Sequence, residues 1–218
     1  MNNNDSYDEA EFLTGLDSLI KQVDNNVKRW YNSIKNNDFI ASNSPTIVNN
    51  FLFFAISLKD ILLAERLYFY SKDYDEKNLI KRNVCLLIHE FLNGLNYYSG
   101  KDFVRELKKF THHNDLLKEI ESLKLLTCSV RDQHKSTIAE IRHNTIGHKD
   151  RDARKMLLII EKVNNVIIEQ LLYDIIGVSR QINKIEDLII GKAIALLDLR
   201  INEMNKLDDE LSQLPDNL

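Results

Sequence analysis

Proline and glycine are scarce in this chain: Pro45 and Pro215 are the two prolines, and glycine occurs six times in 218 residues. Those residues break helices and build turns, so their scarcity excludes a turn-rich β protein and predicts long uninterrupted helices. Cysteine is equally sparse. Cys85 and Cys128 each sit in an apolar helical pattern, which excludes a disulfide framework and predicts two buried thiols in a reducing compartment. Excess charge is missing too. A net charge of −4 argues against a protein that coats nucleic acid non-specifically, while leaving room for a local basic patch. Long apolar runs are also lacking. Phe51 to Tyr70 is interrupted by Lys59, Asp60, Glu65 and Arg66, and Leu188 to Ile201 carries Lys192 and Asp198, so neither is expected to cross a bilayer. Met1 to Asp8 is polar and acidic, unlike a signal peptide. A cytoplasmic location is the expectation.

What remains is an all-α chain with 44% apolar and 28% charged residues. Phe12, Leu16, Leu19/Ile20, Val23, Val27, Trp30 and Ile34 recur every three or four residues and predict a first helix over about 7–36. A polar linker follows, and Ser44-Pro45 reads as a capping hydroxyl before a first-turn proline. The aromatic-rich second helix then runs to about Lys72 and is expected in the core. Further helices are predicted over 76–98, around Phe103 to Phe110, and from Leu116 to about Ile146. Another begins near Asp150 or Asp152. The pattern loosens near 177–183, and a last helix is expected over about 184–211. The predicted organisation is an antiparallel bundle of long helices over 1–183, with 184–218 as a C-terminal helical arm packing on the bundle or on a dimer partner.

One stretch does not read as packing: Ile141-Arg142-His143-Asn144-Thr145-Ile146-Gly147-His148-Lys149-Asp150-Arg151-Asp152. Arg142 and His148 would lie about 120° apart on an ideal helix. They converge only if the helix ends between them, and Gly147 permits such an ending. Helix-end capping in water is the plainer reading of these side chains. The spacing has two rivals. Arg82-Asn83 precedes His89 in a helix whose intervening residues, Val84 to Ile88, are all apolar. Arg105 precedes His112, but Glu106 is expected to neutralise it. Chance alone supplies roughly one such spacing in a chain of this composition. Context favours Arg142/His148.

The Arg142-His143-(four residues)-His148 series resembles the active-site motif of the HEPN superfamily, helical-bundle proteins of which many are RNases. The resemblance covers about a dozen residues plus the helical architecture. It implies a HEPN-like fold and metal-independent RNA cleavage, in a toxin or phage-defence effector acting with an antitoxin or sensor protein. His148 would transfer protons, Arg142 would grip the phosphorane, and His143 or Asn144 would orient His148 or bind phosphate. Arg131, Lys135, Lys149 and Arg151 would attract RNA. The family pairs two protomers across such motifs, which implies a homodimer. No cofactor or metal is expected, since His89-Glu90 has Asn93 where a zincin helix needs its second histidine. The competing expectation is a non-catalytic helical module that binds a partner protein or nucleotide.

Overall fold

A computed structural model describes residues 9–98, 100–110, 114–141 and 165–212. Among the described residues the chain is all-α, with seven helices and no strand. They are α1 (Glu9–Asn36), α2 (Phe39–Asn43), α3 (Pro45–Tyr70), α4 (Tyr74–Tyr98), α5 (Lys101–Phe110), α6 (Asn114–Ile141) and α7 (Asn165–Ser212).

The predicted polar linker contains α2. Asn37 adopts the left-handed conformation (φ 46°) that ends α1, and asparagine tolerates it better than most residues. Asp38 then caps α2, accepting hydrogen bonds from Ile40 N and Ala41 N at 3.0 Å each. Pro45 opens α3 as expected, but the Ser44 hydroxyl makes no cap hydrogen bond. It reaches instead to Glu106 Oε2 at 3.4 Å, tying the start of α3 to α5.

Helix α3 is the central element. It packs on α1, α2, α4 and α5, and buries Ile47, Val48, Phe51, Phe54, Leu58, Ile61, Leu62 and Tyr68. Trp30 of α1 stacks on Phe51 (centroids 5.1 Å apart), and Phe103 of α5 meets the same ring edge-on at 5.8 Å. Tyr70, at the end of α3, is exposed rather than core. By length and composition α3 is apolar enough to cross a membrane, contrary to the expectation for that run, yet half of its most apolar stretch is buried in this bundle. Gly94 of α4 leaves room for Phe53, whose ring lies 2.5 Å from where a Cβ would stand.

Cross-links fix the directions. Arg66–Asp17 (3.2 Å) and Lys59–Asp24 make α1 and α3 antiparallel. The two lysines Lys28 and Lys59 hold the Asp24 carboxyl down at about 2. Helices α6 and α7 are antiparallel, joined by Lys184–Glu119 (2.8 Å) at one end and His134–Asp174 (2.7 Å) at the other. Trp30 Nε1 donates to Glu186 Oε1 at 3.0 Å, and Asn26 donates to Asn183 at 3.3 Å, so α1 and α7 run parallel.

The expected break near 177–183 is absent. Helix α7 runs unbroken for 48 residues through Gly177 and through residue 184, the expected start of the arm. Glycine costs a helix about 1 kcal/mol relative to alanine; burial of Ile175, Val178, Ile182, Ile185 and Ile189 on one stripe outweighs that. Past Leu196, every residue through 209 is exposed.

Candidate functional site

Helix α6 is the element that leads to the arginine–histidine stretch. Its core stripe is Leu116, Ile120, Leu123, Thr127, Val130, His134 and Ile138, spaced three or four residues apart as an amphipathic helix requires. Two members are polar, and each has found a partner. The Thr127 hydroxyl donates to Leu123 O at 2.7 Å within the helix. His134 Nε2 lies 2.7 Å from Asp174 Oδ2 of α7, and Gln170 donates to the other Asp174 oxygen at 3.1 Å. A buried imidazole held by a carboxylate, itself held by an amide, fixes α6 against α7 two turns before Ile141. The pair was not anticipated from sequence. Its signal was a histidine at a position the stripe reserves for apolar side chains; Asp174, 40 residues away, carried none.

Arg131 and Lys135 sit one turn apart beside that stripe. Arg131 is half-buried, with Nε 3.4 Å from Asp132 Oδ1 and a guanidinium nitrogen 3.9 Å from Cys128 Sγ. Lys135 is exposed. Both present positive charge on one flank of α6. Arg142, His143, Asn144, His148, Lys149 and Arg151 lie outside the described residues, as does His112.

The rival pair falls on described helix. Arg82 and His89 belong to the unbroken α4, where seven residues bring them to nearly one azimuth but leave them about 10 Å apart along the axis. Arg82 Nε is buried without a hydrogen-bond partner. His89 Nε2 is 2.8 Å from Asn93 Nδ2. No helix end between them draws the two groups together, and Val84, Cys85 and Ile88 between them are core. Arg105 pairs with Asp102 at 2.9 Å, and Glu106 is buried beside Ser44.

Two glutamates, Glu65 and Glu186, are buried in the bundle without having been expected there, and Cys85 is buried as expected. Both carboxylate oxygens of Glu65 on α3 are buried with no hydrogen-bond partner. Burial first, and the nearby Glu169 charge second, push its pKa up to about 8. Burial raises Glu186 to about 7, opposed by the Trp30 hydrogen bond and by Arg29. Cys85 is pushed up to about 12 by burial and by Glu65, making it an inert thiol. Cys128 is a free, half-buried thiol rather than a fully buried one.

Between α1 and α7 lies an open groove of about 510 Å³, walled by Phe12, Leu16, Leu19, Leu172 and Ile176, with Glu169 and Arg180 among its polar lining. Among the described residues no three histidine, cysteine or acidic side chains gather as metal ligands. Comparisons with models of known protein families, with curated proteins and with solved structures return no significant match.

Proposed function

We propose that this chain is a HEPN-type, metal-independent endoribonuclease, a toxin or phage-defence effector that acts as a homodimer with Arg142 and His148 at a shared cleft. The observation that carries the reading is the Arg142-His143-Asn144-(three residues)-His148 series directly after Ile141, the last described residue of α6. Two features of the fold support it. The bundle is all-helical, and the helix leading into the series is clamped by His134–Asp174 while carrying Arg131 and Lys135 on its flank.

The chemistry follows from the residue types. A ribose 2′-hydroxyl attacks the adjacent phosphorus, its proton passes to a base, and the 5′-oxygen leaves with a proton from an acid. Products are a 2′,3′-cyclic phosphate and a 5′-hydroxyl. Histidine titrates near neutral pH and serves such transfers. Arginine stays charged and presents a rigid fork to the equatorial oxygens of the phosphorane. One protomer supplies one such pair, and a second copy supplies the other. Arg131, Lys135, Lys149 and Arg151 attract the RNA backbone in an otherwise acidic protein.

Alanine variants separate the two candidate pairs. Arg142→Ala and His148→Ala abolish RNA cleavage with unchanged thermal stability, while His89→Ala retains activity. Loss of activity in His89→Ala with full activity in His148→Ala would move the site to α4. An RNA left uncut by the wild type would leave the chain as a binding module.

A further inference from the structure

Helix α7 is about 72 Å long at 1.5 Å per residue, against about 42 Å for α1. Its last third therefore has little of the bundle beside it. The face turned toward the bundle is still readable: Ile189 and Ala193 are buried, Leu196 packs on the core, and Arg200 lies over the Phe39 ring at 5.2 Å. A second apolar line runs about 100° around the helix from that face. It consists of Ile190, Ile194, Leu197, Ile201 and Met204, spaced alternately four and three residues apart. Ile190 packs against the core; Ile194, Leu197, Ile201 and Met204 are 53%, 36%, 52% and 64% exposed.

We infer that this line is the seam of a parallel two-stranded coiled coil with a second copy of the chain. The 3.5-residue repeat is the first reason. It keeps the line on one narrow face, as the same spacing keeps Ile175, Val178, Ile182, Ile185 and Ile189 on the buried face, and so provides a continuous seam for a partner that winds with it. Residue choice is the second. Isoleucine at a positions (Ile194, Ile201) and Leu197 at d, with Met204 at the next d, follow the pattern that favours parallel dimers. Charge is the third. Paired antiparallel with Ile201 against Leu197, the arms would bring Asp198 against Asp198 and Arg200 against Arg200. The next antiparallel register sets Leu197 against Asp208. In-register parallel pairing leaves Asp198 beside Ala193, and Arg200 beside Asn205, with no like-charged flank. The zipper ends after Met204, because Asp208 takes the following a position and would face its own copy.

The seam is short, and a standard interface buries roughly 800 Å² on each partner. Its few exposed side chains make part of such an area, so the arms zip as one segment of a larger contact between copies. The surface is far from the described end of α6. His134 lies level with Asp174, about 40 Å along α7 from Ile201, and the end of α6 at Ile141 lies two turns further still, about 50 Å away. The inference does not depend on the nuclease reading.

Disulfide trapping tests it in the full-length protein, in a Cys128→Ser background. Parallel pairing puts residue 201 against residue 201, within reach of a disulfide, whereas Leu199 faces outward on the opposite flank. Ile201→Cys should therefore cross-link to a covalent dimer under mild oxidation at least tenfold faster than Leu199→Cys. Adding Ile194→Asp should abolish that advantage. Both positions are exposed, so circular dichroism and melting should match the parent. Equal rates at 201 and 199, or undiminished cross-linking with Ile194→Asp, would overturn the inference. Cross-linking of a mixed Leu197→Cys/Ile201→Cys pair in preference to either homotypic pair would establish an antiparallel arm and overturn it as well. RNA cleavage enters none of these readouts.

Discussion

Replacing Glu65 with methionine should make the protein more stable, and increasingly so as the pH rises. Glu65 is fully buried in α3, with neither carboxylate oxygen hydrogen-bonded and with Glu169 adding negative charge nearby. Its pKa is raised from the ordinary 4.5 to about 8. Between those values the unfolded chain has lost the proton that the folded chain keeps, so stability falls with rising pH. A shift of that size, at roughly 1.4 kcal/mol per unit, corresponds to about 5 kcal/mol lost between pH 4.5 and 8. The neutral acid is itself unpartnered, which costs a further 1–3 kcal/mol or so at every pH. Glu65→Met removes both penalties with a side chain that adapts to the same space. Urea denaturation followed by circular dichroism from pH 5 to pH 9 should show the variant pulling away from the wild type, the gap widening by several kcal/mol. Parallel stability curves, or a variant less stable at pH 9, would refute this account of Glu65.

Trp30→Phe removes the indole N–H that donates to Glu186, whose carboxyl is raised by burial to about 7; denaturation should show a loss of about 1–3 kcal/mol, larger at pH 8 than at pH 5. Asp174→Ala strands the His134 ring in the α6–α7 interface, and urea melts should record about 1–3 kcal/mol of destabilisation, with Asp174→Asn recovering part of it. Arg142→Ala and His148→Ala should each lower RNA cleavage by roughly 10²–10⁴-fold, measured on labelled RNA, with melting temperatures within a degree or so of wild type.

Much of the helical architecture was readable because long amphipathic stripes state their own period. Phe12 through Trp30, Phe103 with Leu107, and Pro45 at the start of α3 all carried local signals. What misled was also local. The polar run before Ser44 hid a five-residue helix, since Asp38 caps it from outside and α2 offers only Phe39, Ile40 and Ala41 to the bundle. Gly177 suggested a break that neighbouring Ile175 and Val178 override by burial. Of the candidate site, the arginine–histidine series was visible because its polarity clashes with a core helix. His134–Asp174 and the unpartnered Glu65 were not visible, because each depends on what a neighbouring helix brings or fails to bring. A glutamate in α3 looks like an interruption of an apolar run until the surrounding helices close over it.

The nuclease account is tested most directly by incubating wild-type protein and His148→Ala with RNA in EDTA and identifying the ends produced. The account predicts cleavage by the wild type alone, leaving 2′,3′-cyclic phosphate and 5′-hydroxyl termini. Intact RNA with the wild type, equal cleavage by both proteins, or 5′-phosphate ends would contradict it.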